Sequence, residues 1–382
     1  MRPNEGCNAR GCYSRLLNQL SKSGRILAEE GYVTLVYGDG ALVCSAAVLG
    51  ASLAAVDPSR PRFALLAGTA STEVRAILSA SWRIIDVDHL MPDVADVTGV
   101  PMRIFGRKVA VLAAPLSRAL FLDADQVLVL GNERRARLQA LWAYRPEVEM
   151  FATTDGINKP CFNSGLLLFR PSQARASAYA MLLEQAAAHK RGALYFRETL
   201  PALRECGGFD QPFINAVYND SWSLLPLRTW MPYTTGKAMA SLGVCWTCLR
   251  RIQQKWDSFH FFHGFFPWGG DCGSCVLSGG HCHVERMRKV FGQAGGCYSL
   301  FAMQEVFWGQ LDLLLPGSVA ARCRPRLSSP STERVCYNNH SLNLRTNRTW
   351  VETPRRCGRP SFPSSTFESP IAGLRNVSYD KP

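Results

Sequence analysis

The sequence predicts an α/β fold, with an open sheet sandwiched by helices. Three observations predict it. First, apolar runs of five or six residues alternate with helix-length stretches between residues 32 and 87, which is the rhythm of successive βαβ units. Second, the run Arg118-Ala119-Leu120-Phe121-Leu122 ends on Asp123-Ala124-Asp125 and resumes as Val127-Leu128-Val129-Leu130. That pattern reads as a buried strand with carboxylates at its carboxyl end. Third, 382 residues with 47% apolar content are ample for one large packed core.

Taken in order, Tyr32–Tyr37 is a first strand and Gly38-Asp39-Gly40 a tight turn. The Ala-, Gly- and Ser-rich stretch Ala41–Leu53 suits a helix lying close on a sheet. Arg62–Ala67 is a second strand, Ser71–Ser81 a second helix and Arg83–Val87 a third strand. This opening is Rossmann-like. Leu120–Asp123, Glu149–Thr153 and Ser164–Arg170 add strands, Gln173–His189 a long helix and Gln211–Tyr218 a short one. After Leu224 the pattern becomes irregular and rich in Gly, Cys and aromatics, ending in a helical stretch over Leu300–Leu314. From Pro316 the chain is rich in Pro, Ser, Arg and Thr, the composition of a disordered segment. The expected organisation is an N-terminal extension over 1–30, one catalytic-type domain over 31–315 and a basic tail over 316–382.

The net charge of +13 is uneven, since residues 321–382 hold eleven Arg or Lys against four Asp or Glu. A solvated tail explains this better than a polyanion site, because no nucleic-acid motif or basic aromatic-bearing helix accompanies it. Nucleic acid is therefore not an expected partner. Residues 1–30 carry no apolar signal core, and the most apolar early stretch, Ala41–Val56, falls short of a membrane span. No span is expected. Fourteen cysteines and four N-x-S/T sequons, at Asn219, Asn339, Asn347 and Asn376, favour a Golgi or secretory lumen, whereas the missing signal segment favours the cytoplasm. Cys245, Cys248, Cys272 and Cys275 form two C-x-x-C pairs, compatible with a structural zinc or with a disulfide cluster.

Asp123 and Asp125 bear the sharpest chemical signal. Two carboxylates one residue apart in apolar surroundings repel each other unless a cation sits between them. A hard divalent metal carrying a phosphate satisfies both.

Five blocks occur in fixed order over residues 31–315. They are Tyr32-Val33-Thr34-Leu35 with Val48-Leu49-Gly50-Ala51-Ser52-Leu53; Phe121-Leu122-Asp123-Ala124-Asp125; Phe162-Asn163-Ser164-Gly165; Phe209-Asp210-Gln211 with Asn215; and His260 with Gly264 and Pro267-Trp268. In these blocks the chain resembles glycosyltransferase family 8, the glycogenin-like group of retaining transferases with the GT-A fold. The resemblance implies a nucleotide-sugar donor, expected to be a UDP-sugar, and transfer of a hexosyl or uronosyl unit. The acceptor class stays open among carbohydrate, glycolipid, small polyol and protein, and oligomeric state is unread. It also implies a manganese or other divalent ion held by Asp123, Asp125 and His260, with Ala124 between the two acids. Asn163, Ser164 and Gly165 would lie beside the donor sugar, Lys108 would meet the donor, with Arg103 and Arg107 as competitors, and Gly264 would belong to the loop after the histidine. Asp210 is implied as nucleophile or ion-pair stabiliser and Gln211 as an orienting group. Asp210 also has the sequence context of a helix N-cap.

Departures from the family pattern are specific. Phe266 stands where the family has a lysine, so diphosphate binding would lean on the metal and Lys108. Gly38 and Ala41 stand where residues contacting the base are usual, which leaves Tyr37, with Leu35 before it, as the candidate beside the base. Two other function classes fit the same sequence: a catalytically degenerate relative acting as a binding module, and a zinc-stabilised interaction protein built on the four cysteines above.

Overall fold

The computed structural model describes residues 27–38, 42–87, 108–128, 130, 132–144, 147–154, 161–188, 206, 210–219, 221–225, 258–260, 307 and 309–328. The chain divides into two compact units. The first comprises Met1–Tyr233 with Trp256–His260, and the second Thr234–Lys255 with Phe261–Pro382.

The first unit is built on strands β1 (Ala28–Tyr37), β2 (Arg62–Ala67), β3 (Arg83–Asp86), β4 (Leu116–Leu122), β6 (Met150–Thr154), β7 (Phe162–Phe169) and β8 (Trp222–Leu224). They form one seven-stranded sheet in the order β3-β2-β1-β4-β7-β6-β8. β1 is parallel to both β2 and β4, and β2 to β3. β7 is antiparallel to β4 and β6, while β6 and β8 are parallel. The sheet is thus mixed, and its first four strands carry the Rossmann-like half. A separate ribbon pairs β5 (Gln126–Leu128) with β9 (Ser258–His260), antiparallel.

The strand order fixes where a site can form. The chain leaves β1 toward β2 and β3, then returns to β4 on the other side of β1. A crevice opens outside the carboxyl ends of strands at such a reversal. Tyr37 and Leu122 are those ends.

Among the described residues the unit also has helices α1 (Val43–Val56), α2 (Thr72–Ser79), α3 (Lys108–Leu112), α4 (Asn132–Ala143), α5 (Gln173–Ala188) and α6 (Gln211–Val217). In α1, twelve of fourteen residues are buried, which explains its small side chains. At Gly50 an added Cβ would lie 2.2 Å from Trp82 Nε1. That indole is already fixed by a hydrogen bond to the Ala46 carbonyl at 2.6 Å. α2 starts where a cap predicts: Ser71 Oγ accepts from the Val74 amide, and Val74, Ile77 and Leu78 turn one face inward. The turn after β1 has Gly38 at φ +46, a conformation glycine adopts without steric cost.

Observed elements match the expected ones within a few residues for β1, α1, β2, α2, β3, β6, β7, α5 and α6. β4 starts at Leu116, earlier than expected, and ends at Leu122, so Asp123 lies just beyond it. α3, α4, β5, β8 and β9 were not anticipated. α4 is legible in retrospect, since Leu138, Leu141 and Trp142 are buried at helical spacing.

In the second unit, residues 309–314 are helical and a helix α7 spans Gly317–Ser328. An ordered helix thus opens the tail whose composition is that of a mostly disordered segment. The Pro316 carbonyl accepts from the Val319 and Ala320 amides at 2.8 and 2.9 Å, starting α7, and Val319, Ala320 and Cys323 are buried along it. The remaining tail, from 329 on, lies outside the described residues. Among the described residues no helix is long and apolar enough to cross a membrane.

Candidate functional site

The two acids sit on a fastened turn. Asp123 O accepts from Gln126 N at 3.0 Å, closing a four-residue turn with Asp123 first and Asp125 third. The Gly165 carbonyl of β7 accepts twice from this turn, from Asp123 N at 2.8 Å and from Gln126 Nε2. On the other side, Thr34 Oγ1 of β1 donates to Leu122 O at 2.9 Å. Asp123 is held from both neighbouring strands at the reversal point. Asp125 is buried at 4% exposure and Ala124 at 2%.

Lys108 opens α3 and reaches across the strand ends. Its Nζ lies 3.0 Å from Asp123 Oδ1 and 3.1 Å from Asp210 Oδ2, and it donates to Ser164 O at 3.1 Å. The same ammonium stands 4.1 Å from the centroid of the Phe121 ring, a cation–π contact. Burial pulls the lysine pKa down. Asp123 and Asp210 more than reverse this, and the net shift is upward, so the site holds a charged ammonium. One cation thereby joins acids 87 residues apart in sequence.

α6 brings the second acidic element. Asp210 precedes it, yet its backbone is already helical and its side chain makes no capping bond. The capping expectation is corrected: the carboxylate turns to Lys108 instead. Gln211 Oε1 accepts from Ser164 N at 3.2 Å, which orients its amide nitrogen. Asn215 bonds the Phe162 backbone on both sides, accepting from N and donating to O at 2.9 Å each, and donates to Gln211 O at 2.8 Å. Asn163 Oδ1 accepts from Gly165 N at 2.9 Å. α6 and β7 are therefore stitched together along Phe162–Gly165.

The structure gathers Lys108, Asp123, Ala124, Asp125, Asn163, Ser164, Gly165, Asp210 and Gln211 in one region. Leu35 and Tyr37 are half-buried at the end of β1 and pack on the core beneath it. His260 is described in its backbone alone, where it pairs with Gln126 across β5 and β9. That register sets it one residue beyond Asp125. Among the described residues no three His, Cys, Asp or Glu side chains form a metal-holding group; the expected third ligand is that histidine side chain. Gly264 and the cysteines Cys245, Cys248, Cys272 and Cys275 lie outside the described residues.

Three residues of the site carried no role in the sequence reading: Thr34, Gln126 and Asn215. Thr34 and Asn215 are polar side chains inside apolar runs and Gln126 stands at the edge of one, and buried polar groups require partners. That was the available signal.

No family model matches the chain, and no curated protein matches it. Solved structures do show similarity. The galactosyltransferase LgtC, solved with donor and acceptor sugar analogues, is 19% identical over 69% of this chain and 95% of its own, with a TM-score of 0.44. The bifunctional glycosyltransferase WbbM is 14% identical over 64% of this chain and 47% of its own, at 0.39. Mouse xyloside xylosyltransferase 1 is 15% identical over 62% and 98%, at 0.33.

Proposed function

We propose that the chain is a metal-dependent retaining glycosyltransferase moving a hexosyl or uronosyl unit from a nucleotide sugar, a UDP-sugar by preference, to an acceptor hydroxyl. One observation supports this above the others. The Asp123–Asp125 turn, Asp210 and the backbone of His260 meet at the carboxyl ends of β1 and β4, although the sequence separates them by up to 137 residues.

The donor set fits a divalent cation such as Mn²⁺: two carboxylates on one fixed turn, with an imidazole-bearing residue in the adjacent register. Asp123, Asp125 and His260 would hold it. When bound, it would supply Lewis-acid stabilisation of the diphosphate leaving group. The remaining roles fall to the chain's own residues. Lys108 keeps Asp123 and Asp210 at fixed separation and adds positive charge where the diphosphate would lie. Asp210, held by an ion pair rather than by a cap, presents a carboxylate to the positive charge that builds on the transferred sugar. Gln211, with its oxygen committed to Ser164, has an amide nitrogen oriented to donate to a sugar hydroxyl. Gly165 has no side chain to obstruct a ligand approaching the β7 backbone.

The test is a panel of nucleotide sugars assayed for transfer and slow donor hydrolysis, with Mn²⁺ or with chelator, using wild type and the Asp125→Asn variant. The expected result is a manganese-dependent rate with one donor, lower by about 10²–10³-fold in the variant. Manganese titrated against both proteins and followed by its paramagnetic resonance signal should show binding weakened in D125N. Equal background rates in both proteins with every donor, and equal manganese binding, would defeat the proposal.

A further inference from the structure

Cys161 and Cys206 form a disulfide across 45 residues of sequence, with Cα atoms 5.3 Å apart. Both are buried, and Ala216 of α6 packs against them. Cys161 immediately precedes β7, and Cys206 lies four residues before Asp210. Four extended residues span at most about 14 Å, so the bridge limits where the start of α6 can go.

α6 needs that limit. With seven residues it is too short to hold itself. It has no acidic residue in its first turn and no side-chain cap, because Asp210 is engaged with Lys108. The contacts that seat it, Asn215 on Phe162 and Gln211 on Ser164, act from within the helix. The Lys108 ion pair holds Asp210 itself, and the bridge anchors Cys206 four residues before it.

We infer that the Cys161–Cys206 disulfide is a positioning element for the reaction: it fixes the entry of α6 against β7 and so frees Asp210 to meet Lys108 instead of capping its own helix. The geometric half is independent of the activity assigned above, while the catalytic half rests on that reading. A chain built this way matures where disulfides form.

Hydrogen exchange on the full chain tests the geometric half, comparing wild type with C161A/C206A well below both melting temperatures. The amides of Phe213 and Ile214, which bond to the Asp210 carbonyl, and of Tyr218, which bonds to the Ile214 carbonyl, should exchange about tenfold faster or more in the variant, while those of β1 and β4 stay unchanged. Wild type treated with dithiothreitol is the second measurement, should the variant fail to fold. The bridge takes up two electrons and two protons as the dithiol closes to its cyclic disulfide. The same change should appear at α6, and it should be missing when the double variant is treated. Unchanged exchange at α6, or equal acceleration throughout the sheet, overturns the inference.

Kinetics test the catalytic half. Loss of the bridge should lower kcat about tenfold with donor KM held within about twofold, and the penalty of D210N should shrink in the bridge-free background. Exchange localised to α6 with unchanged kcat overturns this half. Localised exchange with no turnover of any nucleotide sugar by oxidised wild type instead overturns the glycosyltransferase reading and leaves the positioning role standing.

Discussion

Replacing Lys108 by methionine removes one charge and keeps most of the stem beside Phe121. The ammonium lies 3.0 and 3.1 Å from its two carboxylates, with the lysine side chain only 7% exposed. At an effective dielectric near 20, each such pair attracts by about 5 kcal/mol. Desolvation of the buried ammonium offsets much of that, and removing one member of a buried pair costs about 3–5 kcal/mol net. For a unit of this size that corresponds to a fall in Tm of about 6–20 °C. Asp123 is 29% exposed and Asp210 17%, so solvent screens the first pair more and the larger share belongs to Asp210. The assay is urea and thermal unfolding in chelator, with K108M, K108M/D210N and K108M/D123N/D210N compared. Charge relief should return stability stepwise, with the larger step at D210N. If K108M costs less than about 1 kcal/mol, or if neutralising the acids returns nothing, Lys108 is a packing residue and the electrostatic account is wrong.

Three further outcomes are expected. Gly50→Ala drives a Cβ into Trp82, which is already hydrogen-bonded to Ala46, and should cost about 1–3 kcal/mol in urea denaturation. Asn215→Ala strands the Phe162 amide and carbonyl and removes a second bond from the Gln211 carbonyl; a loss of about 2–4 kcal/mol should appear in the same assay, with faster exchange at Phe162. Stability should fall as pH drops below the ordinary carboxylate range. Burial pushes the Asp57 pKa up, but bonds from Tyr32, Ser59 and Arg60 hold it below its ordinary 3.8, and Arg175 holds Glu149 below its ordinary 4.5. A folded pKa under the unfolded one contributes stability above the unfolded value, and that stability disappears as pH falls through the folded value. Urea midpoints measured from about pH 6 to pH 3 should therefore decline, and less steeply for Glu149→Gln.

The parallel half of the sheet was legible because β2 and the second half of β1 are nearly continuous apolar runs and helix-length segments separate the strands from β1 to β3. Pairing was not legible. β7 reads like any buried strand, and nothing local says that it opposes β4. Within the site, Asp123 and Asp125 stood out because carboxylates beside apolar blocks are conspicuous, whereas Asp210 came to notice through the family resemblance. Thr34 and Asn215 stood only as members of the resembling blocks, without a role, and Gln126 not at all, since each bonds a backbone group brought close only by tertiary structure, such as the Gly165 carbonyl that serves Asp123 and Gln126 together. α7 was hidden by the polar, Arg-rich composition around its short buried face.

Asp210 shows why one reading failed. Local rules place an aspartate before Gln211-Pro212 as a helix cap, a bond that stabilises by about 1 kcal/mol. The ion pair with a buried ammonium outweighs it, because an uncompensated Lys108 would cost several times as much. The helix start is left without its local device, and longer-range links take over: Gln211 to Ser164, Asn215 to Phe162, and the Cys161–Cys206 bridge. A local preference overridden where several distant contacts compensate marks a position chosen for what it faces. Asp210 faces the lysine that also holds Asp123, and the role proposed for it starts from that ion pair.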